Sequence, residues 1–383
     1  MRRVLLYVPL SNCHRLPIFR EIALREKKAG NLVYICVSVA MPLFDDDDNI
    51  SLNISAIINY LDPVVYRRIY IATPSARELW KILKRNRIAQ EEFISQHNLD
   101  CEDLLKRKGF DYVYLWNGNF AYQTGFLNVT KKHNIDVRFM EVAWFDQSNT
   151  YYFDPKGVNS GSEIAKKATY ELEGYYKHGQ EFCESYRRKK LSGLKNEEKY
   201  ILVPLQVETD SNIRLYSPFT SMQEFISELA RWLPKTHKVI VRKHPKSSMK
   251  MFDLPKGFSW SRESDLFKDI AGAKCIIGIN STVLLQSLAV GKPVIAMGEG
   301  IWGQNTAITY GDVRAEFAWP HYNEAEAFCL IGYLVGKQLF FRKKIFNPQS
   351  RFKRYLIALR LVKPFFQYLA GYTIFYKRKG VIL

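Results

Sequence analysis

The stretch that decides the fold is YILVPLQVETD (200–210), and three similar stretches follow it: VIVRKHP (239–245), CIIGINST (275–282) and PVIAMG (293–298). Each opens with a short apolar run of strand length, and the first three end in polar residues. The predicted strands are Tyr200–Leu205, Val239–Arg242, Cys275–Ile279 and Pro293–Met297. The predicted helices between and beside them cover residues 221–233, 263–271 and 283–290.

This alternation of strands and helices predicts an open, mostly parallel sheet. In such sheets the ligand crevice lies beyond the carboxyl ends of the strands. Polar residues follow three of the predicted strands, so we expect them at one rim. They are Gln206, Asp210, Lys243, His244, Asn280, Ser281 and Thr282. Residues 199–298 are therefore predicted to form a nucleotide-binding unit.

The first half of the chain shows the same rhythm with less clarity. Predicted strands are Val4–Pro9, Leu32–Val39, Tyr112–Trp116 and Val137–Trp144, with helices over 17–28 and about 122–133 and a helical stretch over 162–192. A chain of 383 residues is too long for one ordinary core. We predict an α/β protein of two Rossmann-like domains that face a cleft. The predicted divisions are 1–192, 199–335 and a basic C-terminal segment, 336–383, with SGLKNEEK (192–199) as the linker.

Composition excludes several classes of protein. A hydrophobic content of 47% with 25% charged residues describes a globular chain rather than a disordered one. The six cysteines contain no CxxC pair, so neither a zinc site nor a disulfide framework is indicated, and a cytoplasmic location is expected. The N-terminal apolar run is short and contains Pro9, which favours a first strand over a signal peptide.

The net charge of +18 is unevenly placed. Twelve Lys and Arg and no acidic residue lie between Lys337 and the last residue, and these bases alternate with apolar clusters. One interpretation is an amphipathic surface on anionic lipid, which would make the protein peripheral on the inner membrane. Others are a helix pair that packs across the domains, or a patch that binds a polyanion. No DNA- or RNA-binding motif is recognisable, so we do not expect nucleic acid as a partner.

Asn280-Ser281-Thr282 precedes a predicted helix and has two interpretations. Ser281 or Asn280 could simply cap the helix, as happens in many proteins. The same amides and hydroxyls could instead bind a phosphate at the positive helix terminus. A cation and an imidazole from Lys243-His244-Pro245 at the same rim favour the phosphate site.

Two carboxylates are candidates for chemistry. Asp210 follows a strand by a few residues, where a surface turn is the ordinary role for aspartate, and Gln206 is unremarkable alone. Glu141 lies in the apolar context VRFMEVAWF (137–145), where an unpaired carboxylate is costly to bury. A buried glutamate in a cleft is a candidate acid or base with a raised pKa. Alternatively, Glu141 faces solvent or pairs with Arg138.

Weaker candidates lie in two loops. Asp154-Pro-Lys-Gly157-Val-Asn159 has the composition of a plain turn. Asp154 and Asn159 could instead hold a sugar. Asn12, His14 and Arg15 follow the first predicted strand, where we expect an acceptor-side role.

Together these motifs resemble a known family. WNG (116–118), Glu141 with the following WFDQSNTYYFDPKGVNSGS, LVPLQVETDSNIR, RKHP and GINSTVLLQSLAVGKPVIAMGEGIW are similar to the bacterial β-Kdo glycosyltransferases. These include the KpsC and KpsS capsule enzymes and the WbbB-type lipopolysaccharide O-antigen enzyme. The resemblance spans about residues 112–303.

The resemblance implies a GT-B-like enzyme that transfers Kdo from CMP-β-Kdo with retention. It implies that Asp210 is the nucleophile, Glu141 the acid/base residue, and His244 a contact of the donor phosphate. Gln206, Lys243, Ser281 and Thr282 would line the donor site. The chain has room for one catalytic module, whereas KpsC enzymes carry two, and its opening lacks the glycine-rich start of KpsS. The acceptor therefore stays open between a lipid-linked Kdo, a phospholipid and an O-antigen chain end.

The chemistry is consistent with these residues. Retention needs one carboxylate close enough to attack and a second group to deprotonate the acceptor. Lys243, His244 and a helix terminus could stabilise the leaving phosphate in place of a metal, so we predict that no metal or other cofactor is needed. Alternatives are a transferase for another CMP-ulosonic or sialic acid, and a catalytically silent membrane-associated scaffold. A silent relative should have lost Glu141 or Asp210, and both are present.

Overall fold

The computed structural model describes residues 1–9, 16–38, 67–70, 95, 99, 101–106, 109–119, 121–195, 198–208, 210–247 and 249–340. Two predictions lie outside this part of the chain: the acceptor-side group Asn12, His14 and Arg15, and the basic segment from residue 341 onward. The described residues form two compact units. Unit 1 contains residues up to Glu141 together with 155–157, and unit 2 contains 142–154 and 158–338.

Secondary structure follows the predicted alternation in both units. In the first part of the chain the elements are β1 (Arg3–Pro9), α1 (Leu16–Lys28), β2 (Leu32–Ser38), β3 (Arg67–Tyr70), β4 (Tyr112–Trp116), α2 (Ala121–Lys132) and β5 (Asp136–Val142). The elements in the middle of the chain are β6 (Thr150–Asp154), α3 (Tyr176–Leu191), β7 (Tyr200–Pro204), α4 (Ser211–Tyr216), α5 (Met222–Trp232), β8 (Val239–Arg242) and β9 (Phe258–Trp260). The last elements are α6 (Leu266–Gly272), β10 (Ala273–Gly278), α7 (Thr282–Ala289), β11 (Val294–Ala296), β12 (Thr309–Tyr310), α8 (Glu324–Lys337) and β13 (Leu339–Phe340).

Unit 1 is built on parallel strands in the order β5-β4-β1-β2-β3. All five residues of β4 are buried, as expected for a strand that is covered on both faces. Helices α1 and α2 connect parallel neighbours, and they carry apolar residues such as Phe19 and Phe126 onto the sheet. The predicted βαβ arrangement of this half is therefore confirmed.

Unit 2 contains a second parallel sheet, in the order β12-β11-β10-β7-β8-β9. Strands β7 and β10 are central, and their apolar runs Tyr200–Pro204 and Ala273–Gly278 are almost wholly buried. Helix α5 begins at Ser221, whose hydroxyl accepts a hydrogen bond from the amide of Glu224 at 3.1 Å, as a capping residue does. The four strands predicted from 199–298 are all present, and the α/β fold class is confirmed.

Residues 158–192 belong to unit 2, which differs from the predicted division at residue 192. The predicted helical stretch over 162–192 is not continuous either. It consists of short 3-10 turns, Ile164–Lys166 and Thr169–Tyr175, followed by α3. Helix α3 packs against α8 near the end of unit 2, which accounts for its place in that unit.

The contact between α3 and α8 depends on two glycines that let the helix backbones approach closely. A Cβ atom on Gly179 would lie 1.8 Å from the carbonyl oxygen of Phe328, and one on Gly332 would lie 2.2 Å from the carbonyl oxygen of Tyr175. Aromatic side chains flank the crossing, with the rings of Tyr176 and Phe328 5.6 Å apart. Sequence periodicity gave no signal for this long-range packing.

Across the described residues, no helix is both long enough and apolar enough to cross a bilayer.

The glycine crossing generates a prediction about stability. Gly179→Ala should lower the free energy of unfolding by about 1–3 kcal/mol, because the new methyl group meets rigid backbone. Gly174→Ala is the matched control, since a Cβ at that position meets nothing within 4 Å. Urea unfolding followed by circular dichroism measures both variants. Equal stability of the two variants would contradict the crossing.

Candidate functional site

The candidate site in unit 2 lies at the carboxyl ends of three adjacent strands. Strands β10, β7 and β8 are neighbours in the sheet, so the residues after them meet at one edge. Two hydrogen bonds join Gln206, which follows β7, to Asn280, which follows β10. Gln206 Nε2 donates to Asn280 Oδ1 at 2.9 Å, and the backbone amide of Asn280 donates to Gln206 Oε1 at 3.1 Å.

Both amide side chains are buried, with 8% of each residue exposed. Asn280 Nδ2 also donates to the carbonyl oxygen of Asn212 at 3.0 Å. Because these hydrogen bonds satisfy much of the polar capacity of the pair, the structure gives Gln206 and Asn280 a scaffolding role. Their predicted contact with a donor stays a prediction.

Asp210 caps the short helix α4. Its Oδ1 atom accepts a hydrogen bond from the backbone amide of Asn212 at 2.8 Å, and the residue is exposed. No described residue donates a hydrogen bond to Oδ2. One carboxylate oxygen is thus held by the backbone while the other faces solvent, which suits a carboxylate that must reach a ligand.

His244 lies two residues after β8 and is partly buried. Its Nδ1 atom accepts a hydrogen bond from the backbone amide of Lys246 at 3.1 Å. An accepting Nδ1 carries no proton, so the neutral ring has its proton on Nε2. Burial lowers the pKa of His244 below its ordinary value of 6.5, the charge of Lys246 acts in the same direction, and Asp210 acts in the opposite one. At pH 7 the imidazole is therefore a neutral hydrogen-bond donor through Nε2. Lys243, beside it, is also partly buried.

Helix α7 begins at the end of β10, with Ser281 as its capping residue. Ser281 Oγ accepts a hydrogen bond from the amide of Val283 at 3.2 Å, so capping, one of the two interpretations, is present. Thr282 Oγ1 accepts a long hydrogen bond of 3.5 Å from Gln147 Nε2. The helix axis points its positive end at the same edge as His244, which leaves the phosphate interpretation open.

Asp154 ends β6 and Asn159 lies in the loop that follows, and both side chains form hydrogen bonds with protein atoms. Asp154 is 2% exposed, and its two oxygens accept hydrogen bonds from the backbone amides of Glu163 and Ile164, each at 3.0 Å. Asn159 Nδ2 donates to Asn212 Oδ1 at 2.6 Å. The structure therefore favours structural roles for both residues, and their sugar contacts stay a prediction.

Glu141 lies near the end of β5 in unit 1, beside a turn that follows β4. Asn117 Nδ2 donates to Glu141 Oε2 at 2.8 Å. Asn117 and Gly118 both adopt left-handed backbone conformations, with φ of 61° and 94°, as an Asn-Gly pair readily does. The buried side chain of Gln123 accepts a hydrogen bond from the Gly118 amide and donates one to the Trp116 carbonyl, which fixes the turn.

Arg138, the alternative partner predicted for Glu141, is engaged elsewhere. Its guanidinium donates to Tyr114 Oη at 2.6 Å and lies 3.4 Å from Glu26 Oε1. Residues 138 and 141 are an odd number of positions apart on β5, so their side chains leave opposite faces of the strand. Glu141 is partly buried and is oriented by Asn117.

Sequence reasoning missed two residues that organise the site. Asn212 holds Asp210 through its backbone amide, and Asn117 holds Glu141 through its side chain. The Asn-Gly turn signal of WNG was a usable clue for Asn117, because it marks left-handed backbone at a strand end. No comparable local signal marks Asn212. Within the described ranges, no group of three His, Cys, Asp or Glu residues could hold a metal ion.

A segment of the chain that contains both candidate carboxylates matches a known protein family. Residues 123–253 match the model of a family described as Capsule polysaccharide biosynthesis protein. The matched segment contains Glu141, Asp210 and His244. The predicted resemblance to capsule-biosynthesis enzymes is therefore confirmed over this part of the chain.

Two curated proteins match parts of this chain. Capsule polysaccharide export protein KpsS of Escherichia coli is 28% identical over 134 residues, which are 30% of this chain and 34% of that protein. Protein FixF of Sinorhizobium fredii (strain NBRC 101917 / NGR234) is 23% identical over 193 residues, 45% of each chain. The chain thus matches less than half the length of either relative. Among solved structures, the Thermosulfurimonas dismutans KpsC beta Kdo 2,7 transferase aligns over 77% of this chain and 92% of its own, with 16% identity and a TM-score of 0.49.

The environment of His244 generates a prediction about pH. In Asp210→Asn the pKa of His244 should fall below its wild-type value, because a negative charge that favours the imidazolium is removed. Asparagine still caps α4, so the local fold should survive. In Lys246→Ala the pKa should rise, because a like charge is removed. Titration of the ring protons by NMR, assigned with His244→Gln, measures both shifts. An increase in Asp210→Asn would show that the two side chains do not interact as described.

Proposed function

We propose that this protein is a glycosyltransferase that moves Kdo from CMP-β-Kdo to a glycan or glycolipid acceptor in capsule or lipopolysaccharide biosynthesis, with retention of configuration. The observation that carries the proposal is the edge of unit 2, where Asp210, His244 and the N-terminus of α7 follow three adjacent strands. The match of residues 123–253 to the capsule biosynthesis family supports it.

The donor phosphate would bind between His244 and α7. The Nε2 proton of neutral His244 would donate to a phosphate oxygen, and Lys243 would add a positive charge next to it. The amides and Ser281 at the start of α7 would supply further hydrogen-bond donors at the positive helix terminus. These groups stabilise the charge that CMP carries as it leaves, which is the largest electrostatic change in the first step.

In that first step the free oxygen of Asp210 would attack the anomeric carbon of Kdo. The bond from this carbon to the phosphate oxygen breaks, and the electron pair leaves with CMP. The result is a covalent glycosyl ester on Asp210 with inverted configuration. Because Oδ1 is held by the Asn212 amide, the attacking Oδ2 has a defined direction.

In the second step Glu141 would deprotonate the acceptor hydroxyl. The oxygen of this hydroxyl attacks the same carbon, the ester to Asp210 breaks, and a second inversion gives net retention. The step requires that Glu141 and Asp210 act on the same sugar, and this requirement is part of the proposal. Asn117 would keep the carboxylate turned toward the acceptor.

The proposal extends to the surroundings of the enzyme. We place it in the cytoplasm, on the anionic inner face of the membrane, with the basic residues after Lys337 as the contact. The support for this placement is the charge of that segment, which carries no acidic residue. Nucleic acid is not part of the proposal.

The covalent intermediate gives the decisive test. Intact mass spectrometry of Glu141→Gln with CMP-Kdo and no acceptor should show an added Kdo unit, because loss of the base slows release of the ester. The double variant Asp210→Asn, Glu141→Gln should show none, although asparagine still caps α4. An adduct that persists without Asp210 would refute its role as nucleophile. An adduct from CMP-sialic acid but not from CMP-Kdo would favour the other CMP-sugar class, and no adduct from either would favour a silent scaffold.

The absence of a metal requirement is tested separately. The rate of transfer to a Kdo-containing acceptor is measured from the CMP released. This rate should stay within about twofold in excess EDTA, because protein groups stabilise the phosphate. Inhibition that is reversed by magnesium would contradict this prediction. A chelator control with a known magnesium-dependent transferase shows that the treatment removes the ion.

A further inference from the structure

The loop after β6 is joined to the nucleophile's helix by a chain of hydrogen bonds. Asn159 Nδ2 donates to Asn212 Oδ1 at 2.6 Å, and the backbone amide of Asn212 donates to Asp210 Oδ1 at 2.8 Å. Two short hydrogen bonds therefore connect a loop side chain to the carboxylate. All three residues belong to unit 2.

Asn212 is the junction of this chain. Its side-chain oxygen accepts a hydrogen bond from Asn159, and its carbonyl oxygen accepts one from Asn280. Its backbone amide donates to Asp210. Helix α4 has only six residues, and a helix that short is not stable without such contacts. The position of α4, and with it that of Asp210, thus depends on Asn159 and Asn280, which lie outside the helix.

The loop that carries Asn159 is itself held at several points. The backbone amide of Asn159 donates to Tyr152 Oη at 2.9 Å, and the Tyr152 ring stacks on Trp144 with centroids 4.8 Å apart. Ser160 Oγ donates to Glu299 Oε2 at 2.8 Å. Asn159 has φ of 54°, a left-handed conformation that asparagine adopts more readily than most residues. A loop fixed in this way can position a neighbour.

We propose that Asn159 is a positioning residue that acts through Asn212 to fix the direction of the Asp210 carboxylate. The proposal rests on the function proposed above and gives the loop a task other than sugar binding. Asn159 itself contacts no reacting atom. Its removal should loosen α4 and slow the step in which Asp210 attacks, while the binding of the donor stays nearly unchanged.

The variant Asn159→Gly tests the mechanical link. Glycine tolerates the left-handed backbone and deletes only the side chain. Amide hydrogen exchange in the peptide that covers 210–216 should become about tenfold faster, the loss expected from one hydrogen bond. Asn134→Gly is the matched control, because Asn134 has φ of 51° in an exposed turn of unit 1. Unchanged exchange at 210–216 in Asn159→Gly would overturn the proposal, whether or not the protein transfers Kdo.

Kinetics test the consequence. With CMP-Kdo and a Kdo acceptor, Asn159→Gly should lower kcat about tenfold and leave the donor KM within about twofold. Asn212→Ala should behave alike, and the double variant should be no slower than either single one, because both remove the same link. A raised KM with normal kcat would show that Asn159 binds substrate instead. Additive losses would show that it does not act through Asn212. If the wild type forms no product, the proposed function fails, and the exchange result alone decides the link.

Discussion

The buried pair Gln206–Asn280 is the interaction on which the candidate site depends. Each side chain leaves the end of a different central strand, and the buried Gln206 amide donates to the Asn280 side chain and accepts from the Asn280 backbone. A buried amide without a partner costs roughly 1–3 kcal/mol, so neither residue can move independently. The pair holds the ends of β7 and β10 together. The positions of the polar residues that follow these two strands depend on that contact.

The hydrogen bonds of this pair continue from Asn280 toward the candidate nucleophile. Asn280 Nδ2 donates to the carbonyl oxygen of Asn212 at 3.0 Å and to that of Tyr216 at 3.5 Å, and the backbone amide of Asn212 in turn holds Asp210. The exposed carboxylate is therefore positioned by the half-buried Asn212, which is held in turn by the buried Asn280. This division, with rigid buried amides beneath an accessible reactive group, is the arrangement that preorganised sites require, because reactive geometry is lost when its support is mobile.

The fold was predictable where the chain encodes it locally. The four apolar runs between Tyr200 and Met297 have strand length, and the first three end in polar residues, so the second sheet and its polar edge could be predicted from the sequence. The boundary between the units could not, because it depends on α3 packing against α8, far along the chain, through Gly179 and Gly332. Periodicity describes one element at a time and carries no information about such pairs.

For the candidate site, the sequence predicted where the polar residues lie better than it predicted what each residue does. Asp210, His244 and Ser281 do follow neighbouring strands. A plain turn and a sugar contact were the two interpretations of the loop that begins at Asp154. Both oxygens of Asp154 accept hydrogen bonds from backbone amides at the start of a short 3-10 helix, whose donors need partners. Asn212 was overlooked because its importance lies in its contacts rather than in its chemistry. Sequence shows which groups are reactive, whereas only packing shows which are already engaged.

The turn that orients Glu141 has a consequence for the chemical ageing of the protein. Asn117 precedes Gly118, and an asparagine before glycine is the sequence most prone to lose its side-chain amide by spontaneous deamidation. The resulting aspartate would stand where Asn117 Nδ2 now donates to Glu141 at 2.8 Å, and two carboxylates at that distance repel unless one takes a proton. A slow, uncatalysed hydrolysis at one amide would thus disturb a glutamate that it never touches covalently.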